Sequence, residues 1–342
     1  MTIQRIDIHH HFVPDFYANA IVEGGGDPSG WSIPDWSLEK DLKFNEGEDT
    51  VFTFLSITAP GAAILPPEKR ASFCRQANIY AADIRAAQPS RYGFFATIPS
   101  LLDTRAAIEE TIYALDTLHA DGVILYTRYG SDNHYLGHPD FSDIWDLLDA
   151  REAVVFVHPT HPVDTTLVNP TLPQPMIDYP HETTRTAVDL VTSGTIRSHP
   201  NTKIILSHAG GTLPYLAVRP AAMLPYLPPS VAQPSPRGED ISAINVTLQF
   251  IEDARSFYFD TALSTAPLAL NLLKEFAKPD HVLFGSDYPY APSPAIRLMN
   301  RFLEEFEKKE KGFVRSVNYG AALKLFPRLV GMVDNGLIHG YK

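Results

Sequence analysis

Short runs of consecutive apolar residues, rich in Val, Ile and Phe, recur along the chain between longer segments of helical periodicity. Eight such runs stand at residues 5–9 (RIDIH), 53–58 (TFLSIT), 93–98 (GFFATI), 122–127 (GVILYT), 153–158 (AVVFVH), 203–208 (KIILSH), 256–260 (SFYFD) and 281–285 (HVLFG). Most are apolar at successive positions rather than alternate ones, the pattern of parallel strands covered on both faces. Amphipathic patterns fill the intervals, at 68–87, 104–119, 141–151, 183–198, 267–278 and 293–308. Several of these open on Ser, Thr, Asp or Pro, residues suited to a helix start. Eight strand-then-helix units predict an α/β fold, a (β/α)8 TIM barrel with long βα loops over 1–342 as a single domain. A doubly wound open sheet is the alternative.

Three connections are too long to be simple turns: 12–50, 159–182 and 210–242. Each leaves the carboxyl end of a strand, which in a barrel is the catalytic face, so they are expected to serve as lids or pocket walls. Proline follows the same geography. Of 342 residues 29 are Pro, against a usual share of about 5%. All but Pro89, Pro200, Pro279 and Pro327 fall between a strand's carboxyl end and the body of its following helix, where a fixed φ stiffens a loop at low entropic cost.

Composition narrows the function classes. Lys+Arg 28 against Asp+Glu 40 gives a net charge of −12, so a nucleic-acid or anionic-membrane surface would have to be built against the protein's own field. The single cysteine, Cys74, excludes a disulfide framework and any Cys-rich metal site. The chain opens on polar residues and three His instead of an apolar leader, and its apolar runs are strand-sized, which predicts a cytoplasmic protein with no membrane span.

Candidate chemistry begins at Asp7-Ile8-His9-His10-His11. On a strand, positions i and i+2 point the same way, so His9 and His11 share a face while His10 points oppositely, toward the helix layer, in a structural role. Two convergent imidazoles supply half of a tetrahedral metal site, although a His-rich start also reads as a solvated end. His158 closes the fifth run, His208 the sixth within Ser207-His208-Ala209-Gly210-Gly211, and Asp287 follows the eighth within Gly285-Ser286-Asp287-Tyr288-Pro289. Each alone is a plausible strand-end or capping residue. Together they sit at the carboxyl ends of strands one, five, six and eight, which a barrel converges on one axis.

These motifs together resemble the amidohydrolase superfamily, specifically its decarboxylase branch related to aminocarboxymuconate semialdehyde decarboxylase. The loop around Gly25-Gly26-Asp27-Pro28-Ser29-Gly30-Trp31, with Ile33-Pro34, Trp36 and Leu55-Ser56-Ile57-Thr58-Ala59-Pro60-Gly61, is similar to that of the fungal 6-methylsalicylate decarboxylases. The resemblance implies one divalent metal, Zn2+ or Mn2+, held by His9, His11, His158 and Asp287, with His208 as an acid–base group. It also implies a homodimer acting in secondary metabolism. Strand four ends in Tyr126-Thr127-Arg128, where the superfamily's two-metal hydrolases often carry a carboxylated Lys, a departure that favours one metal.

For an ortho-hydroxybenzoate substrate, protonating the ring carbon before CO2 leaves is the easier path, because direct loss of CO2 would strand an aryl carbanion in a σ orbital. Asp287 is the expected proton donor and His208 its support. A carboxylate firmly on a metal is a poor acid, so Asp287 must loosen or gain a proton when substrate arrives. Arg128 is a candidate partner for the substrate carboxylate, and Phe12, Trp31, Tyr126 and Tyr288 are candidates for an aromatic wall. The expected partner is thus a small aromatic acid, with no nucleic acid and no membrane. Competing readings are a metal-dependent hydrolase of a lactone or amide, and a noncatalytic metal-binding barrel.

Overall fold

The computed structural model describes residues 4–228 and 243–334. The stretch 229–242 of the third long connection, with Pro229, Pro234 and Pro236, lies outside the described residues, as does His339. Among the described residues eight strands form one sheet: β1 (Arg5–His11), β2 (Thr50–Ser56), β3 (Tyr92–Thr97), β4 (Gly122–Tyr126), β5 (Val154–His158), β6 (Lys203–Leu206), β7 (Tyr258–Asp260) and β8 (Val282–Leu283). All seven successive pairings are parallel. Each expected run overlaps its strand, so the (β/α)8 barrel replaces the open sheet.

Closure comes from backbone bonds between β1 and the segment after β8. Ile8 N donates to Phe284 O at 3.0 Å, and His11 N to Tyr288 O at 2.8 Å; Ser286 N and Asp287 N both donate to His9 O, at 3.2 and 2.8 Å. The barrel floor is aromatic: Phe54 stacks on Phe95 at 5.4 Å, Phe95 meets Phe156 at 5.4 Å, and Phe326 caps Phe54 at 4.3 Å. These fully or nearly fully buried rings make the interior a packed core that leaves room only above them.

The loops contain more helix than their sequence predicts. The first excursion holds α1 (Asp15–Glu23) and α2 (Leu38–Gly47), the latter capped by the Ser37 side chain, which accepts from Lys40 N. The helical patterns read from sequence appear as α3 (Pro67–Ala87), α4 (Thr104–Ile112), α5 (Ser142–Ala150), α6 (Asp178–Thr192), and, after short intervening helices, the segments Pro267–Phe276 and Ser293–Arg315. Residues 128–135 form a small antiparallel hairpin, Arg128–Tyr129 with His134–Tyr135, which the strand count had not anticipated. The segment after β6 exposes Tyr215, Val218, Met223 and Tyr226.

His10 faces away from the barrel axis, as the alternation of β1 predicts, into a buried ionic network. Its Nε2 lies 2.8 Å from Asp41 Oδ2 and its Nδ1 3.0 Å from Asp7 Oδ2. Two carboxylate acceptors require two donors, so the ring is imidazolium. Burial opposes that charge, and Asp41 and Asp7 outweigh burial, raising the His10 pKa to about 9. Asp41 also accepts from Trp36 Nε1, Asn45 Nδ2 and Tyr92 Oη, fastening α2 and β3 to β1. Asp7 Oδ1 accepts from the amides of His9 and Ser286, so the network also holds the barrel seam. Asp41→Ala strands a buried imidazolium, an indole N–H and a phenol; unfolding stability is expected to fall by about 3–5 kcal/mol, read as a lower urea midpoint at unchanged slope.

Candidate metal centre and catalytic cavity

The proton positions in β1 and β5 follow from their neighbours. His9 Nδ1 lies 2.8 Å from Asp260 Oδ2, His11 Nδ1 lies 3.2 Å from Ser56 O, and His158 Nδ1 lies 2.8 Å from Pro159 O. Carboxylates and carbonyls only accept, so each Nδ1 carries a proton, and each ring in its neutral form presents a bare Nε2 lone pair. Those three atoms converge with a carboxylate oxygen. His9 and His11 Nε2 are 3.1 Å apart, Asp287 Oδ1 stands 3.4 and 3.3 Å from them, and one donor atom from each of His9, His11, His158 and Asp287 lies within 4.8 Å of every other. Metal–ligand bonds of about 2.1 Å at tetrahedral angles separate ligand atoms by about 3.4 Å. Donor type, tautomer and spacing therefore all fit one divalent cation.

The titration pattern shows the same demand. Burial works against protonation of His9, but Asp260 and Asp287 outweigh it and raise the pKa to about 10. Burial, with neighbouring imidazoles, lowers His11 to about 4 and His158 well below its usual value. Burial also opposes the charge on Asp287, yet the adjoining His11 and His9 imidazoles hold its pKa well below the usual carboxylate range. The cluster claims one positive charge, which a bound cation would supply in place of a proton.

Local backbone conformation places the last two groups. Asp287 sits at φ 63°, and its amide, bonded to His9 O, fixes it at the β1–β8 seam. His208 and Ala209 at φ 54° and 59° begin a left-handed turn continued by Gly210 and Gly211. A Cβ on Gly211 would come 1.9 Å from Pro180 O, so only glycine lets this turn pack on α6. The turn presents His208 with Nδ1 near Ala262 O at 3.1 Å and its ring 4.8 Å from the His9 ring, leaving Nε2 free.

Asp260, at the end of β7, was not singled out in the sequence. It accepts from His9 Nδ1 through Oδ2 and from the amides of His208 and Ala262 through Oδ1, each near 2.9 Å. It thereby orients both imidazoles. Its position at the seventh strand's carboxyl end was the available signal, the same one that identified His158.

Above the cluster opens a cavity of about 430 Å3, lined by Asp27, Ser29, Trp31, Thr58, His158, Tyr179, His208, Asp287 and Tyr290 among polar and aromatic groups, and by Met176, Leu263, Met299 and three prolines, Pro175, Pro180 and Pro292. The long first and fifth loops supply walls, and Pro lies on this face as expected. Trp31 donates through Nε1 to Tyr290 O at 3.1 Å; the Tyr290 hydroxyl is buried without a partner among the described residues. None of the described residues lining it is Lys or Arg.

Four expected substrate contacts do not line this cavity. Phe12 stacks on Tyr80 in the core at 6.0 Å. The Tyr126 hydroxyl is spent on Ile57 O and Thr58 O, each at 3.0 Å, and Tyr288 stacks on Phe44 at 3.9 Å. Arg128 Nε donates to His161 O and its Nη1 to Gly130 O and Asp132 O, facing a separate cavity. Strand-end position could not separate inward from loop-facing side chains here; of the five, Trp31 alone reaches the metal-side cavity.

Similarity to known proteins runs along nearly the whole chain. It is 53% identical over 331 residues to a 6-methylsalicylic acid decarboxylase of Penicillium expansum, covering 96% of this chain and 98% of that one. It is 52% identical over 336 residues to the 6-methylsalicylic acid decarboxylase acuB of Aspergillus aculeatus, covering 97% and 99%. A crystal structure of an amidohydrolase II superposes with TM-score 0.83 at 27% identity, covering 95% of this chain and all of that one. The fold is shared with a dihydroxybenzoic acid decarboxylase from Polaromonas, solved with manganese and 2-nitroresorcinol, at TM-score 0.77, 20% identity and 95% and 97% coverage. The amidohydrolase sequence profile matches residues 6–328, every barrel strand carrying part of that match, and the chain belongs to the amidohydrolase family.

Proposed function

We propose that this protein is a metal-dependent, nonoxidative decarboxylase of an ortho-hydroxybenzoate, converting 6-methylsalicylate to m-cresol and CO2. The observation that carries the reading is the three Nε2 lone pairs and Asp287 Oδ1 converging at the base of a cavity that offers an anionic aromatic acid no Lys or Arg. The two relatives above 50% identity, both named 6-methylsalicylic acid decarboxylases, support the substrate. Tetrahedral donor spacing favours Zn2+, and the mixed imidazole and carboxylate set also accepts Mn2+.

A divalent metal held by His9, His11, His158 and Asp287 supplies Lewis acidity, drawing in the substrate carboxylate and favouring the deprotonated form of the adjacent phenol oxygen. The protein's own groups do the rest. Trp31, Met176 and Leu263 flank the ring, and the unpartnered Tyr290 hydroxyl is offered to a substrate oxygen. His208, its Nδ1 bonded to Ala262 O, takes a solvent proton at Nε2 and feeds Asp287. Substrate anionic oxygens beside Asp287 raise its proton affinity, offsetting the depression by His9 and His11. Asp287 then protonates the ring carbon, the bond from that carbon to the carboxylate breaks, its electron pair restores aromaticity, and CO2 leaves.

Incubated with 6-methylsalicylate, the metal-loaded protein is expected to release m-cresol and CO2 in equal amounts. A chelator should abolish turnover and Zn2+ or Mn2+ restore it; turnover of a lactone panel without either product would overturn the reading. His208→Ala should lower kcat about 10²- to 10⁴-fold with metal content unchanged, and near-normal turnover would remove His208 from the proton path. Asp260→Asn is expected to weaken metal affinity about 10- to 100-fold, measured by competition with a chromophoric chelator.

A further inference from the structure

Arg128 is 5% exposed and pairs with no carboxylate among the described residues. Its Nε and Nη1 hold three backbone carbonyls, those of His161, Gly130 and Asp132, and its Nη2 bonds no described residue. The Arg128 charge reaches the Glu182 carboxylate only through space, as one of several influences on that group, and a buried guanidinium without a direct carboxylate partner is costly unless something anionic visits it. The side chain faces a cavity of about 570 Å3 on the same end of the barrel as the metal centre.

A second guanidinium lines that cavity. Arg70, at the start of α3, donates to Leu65 O and Ala63 O and likewise forms no ion pair with a described residue. His161, beside Arg128, has its pKa lowered by burial and by the Arg128 charge, which marks the local field as positive. The one acidic side chain in the lining, Asp103, is committed to capping α4 through Ala106 N. Tyr126, Tyr129, Ile98 and Leu102 supply apolar and aromatic wall. In a chain of net charge −12, two unpaired arginines converging on an apolar-walled cavity are a local reversal of sign.

We propose that this cavity is a second binding site for a small aromatic carboxylate, its carboxylate on Arg128 Nη2 and Arg70 and its ring against Tyr126 and Tyr129. The site is separate from the metal cavity but adjacent to it: residues 58–59 and His158 line the one, Pro60, Thr160 and His161 the other. It gathers aromatic anions at the mouth of a barrel whose own field repels them. Planar guanidinium donors pair a carboxylate in two parallel hydrogen bonds, so selection is for a carboxylate with an apolar body.

Calorimetric titration of the metal-loaded, full-length protein with benzoate tests this. Two classes of site per chain are expected, one lost on chelation and one lost in Arg70→Gln and Arg128→Gln, with affinity for the second class falling at least tenfold in either variant. Arg70→Gln guards against misfolding, since Arg128 also anchors loop carbonyls. Repeating the titration with 6-methylsalicylate in Asp287→Asn identifies the substrate as the occupant if it fills the same arginine-dependent class. A single class abolished by chelator, or a second class indifferent to both arginine substitutions, would overturn the proposal. The arginine-dependent class is read without turnover, so its failure is distinguishable from failure of the decarboxylase reading.

Discussion

The carbonyl oxygen of His9 accepts from the amides of both Ser286 and Asp287, and much of the molecule's architecture hangs on that junction. β8 has only two residues, so the barrel is closed largely by the irregular segment that follows it, bonding edge-on to β1. The bonds that close the sheet are also the bonds that set Asp287 beside His9 and His11. A ligand on a free loop would need its own support to hold an ångström-scale geometry; here the support is the sheet itself. The left-handed backbone at Asp287, a cost for any residue but smaller for Asp, is what turns the chain back across the strand end after the seam is made.

Charge is partitioned across β1 by the alternation of its side chains. Outward, His10 carries a proton between Asp7 and Asp41. Inward, His9 and His11 present lone pairs toward a cation. The same residue type thus performs opposite electrostatic tasks at adjacent positions, decided by what each ring meets: Asp7 and Asp41 on the two nitrogens of His10, but Asp260 on Nδ1 of His9 with the converging cluster at its Nε2, and the Ser56 carbonyl on Nδ1 of His11. The Phe156 ring under His9, at 4.9 Å, forms the dry floor that makes these pairings strong and unpaired alternatives expensive.

Strand periodicity made the barrel legible, because eight doubly buried strands leave a run of apolar residues whatever their loops do. The convergence of His9, His11, His158 and Asp287 was legible for a related reason: strand ends in a barrel converge, so polar residues there can be read as one cluster without knowing any loop. Asp260 belonged to that logic and was passed over because β7 offers only three ordered residues before it turns. The substrate wall was less legible. Phe12 follows β1 and Tyr288 lies five residues past β8, where alternation no longer dictates direction, and Tyr126 is the last residue of β4; each found a better-packed or better-bonded place. Helices α1 and α2 went unread since their stabilisation comes from tertiary partners, Asp41 above all, rather than from a continuous apolar stripe.

The displacement of Arg128 from the metal cavity has a chemical sense. Decarboxylation removes the carboxylate's charge as the reaction proceeds, turning it into neutral CO2 while electron density moves toward the ring and phenol oxygen. A guanidinium paired to that carboxylate would stabilise the reactant and lose its partner along the way, which raises the barrier instead of lowering it. The metal-side cavity is walled in large part by Met176, Leu263, Met299 and proline, surroundings that favour the uncharged product. A cation held by the three imidazoles and Asp287 would retain a partner throughout, because it also faces the phenol oxygen, where charge persists. An enzyme that must attract an anion yet avoid clasping its leaving group can separate the two tasks in space, with arginine at the mouth and metal ligands at the base.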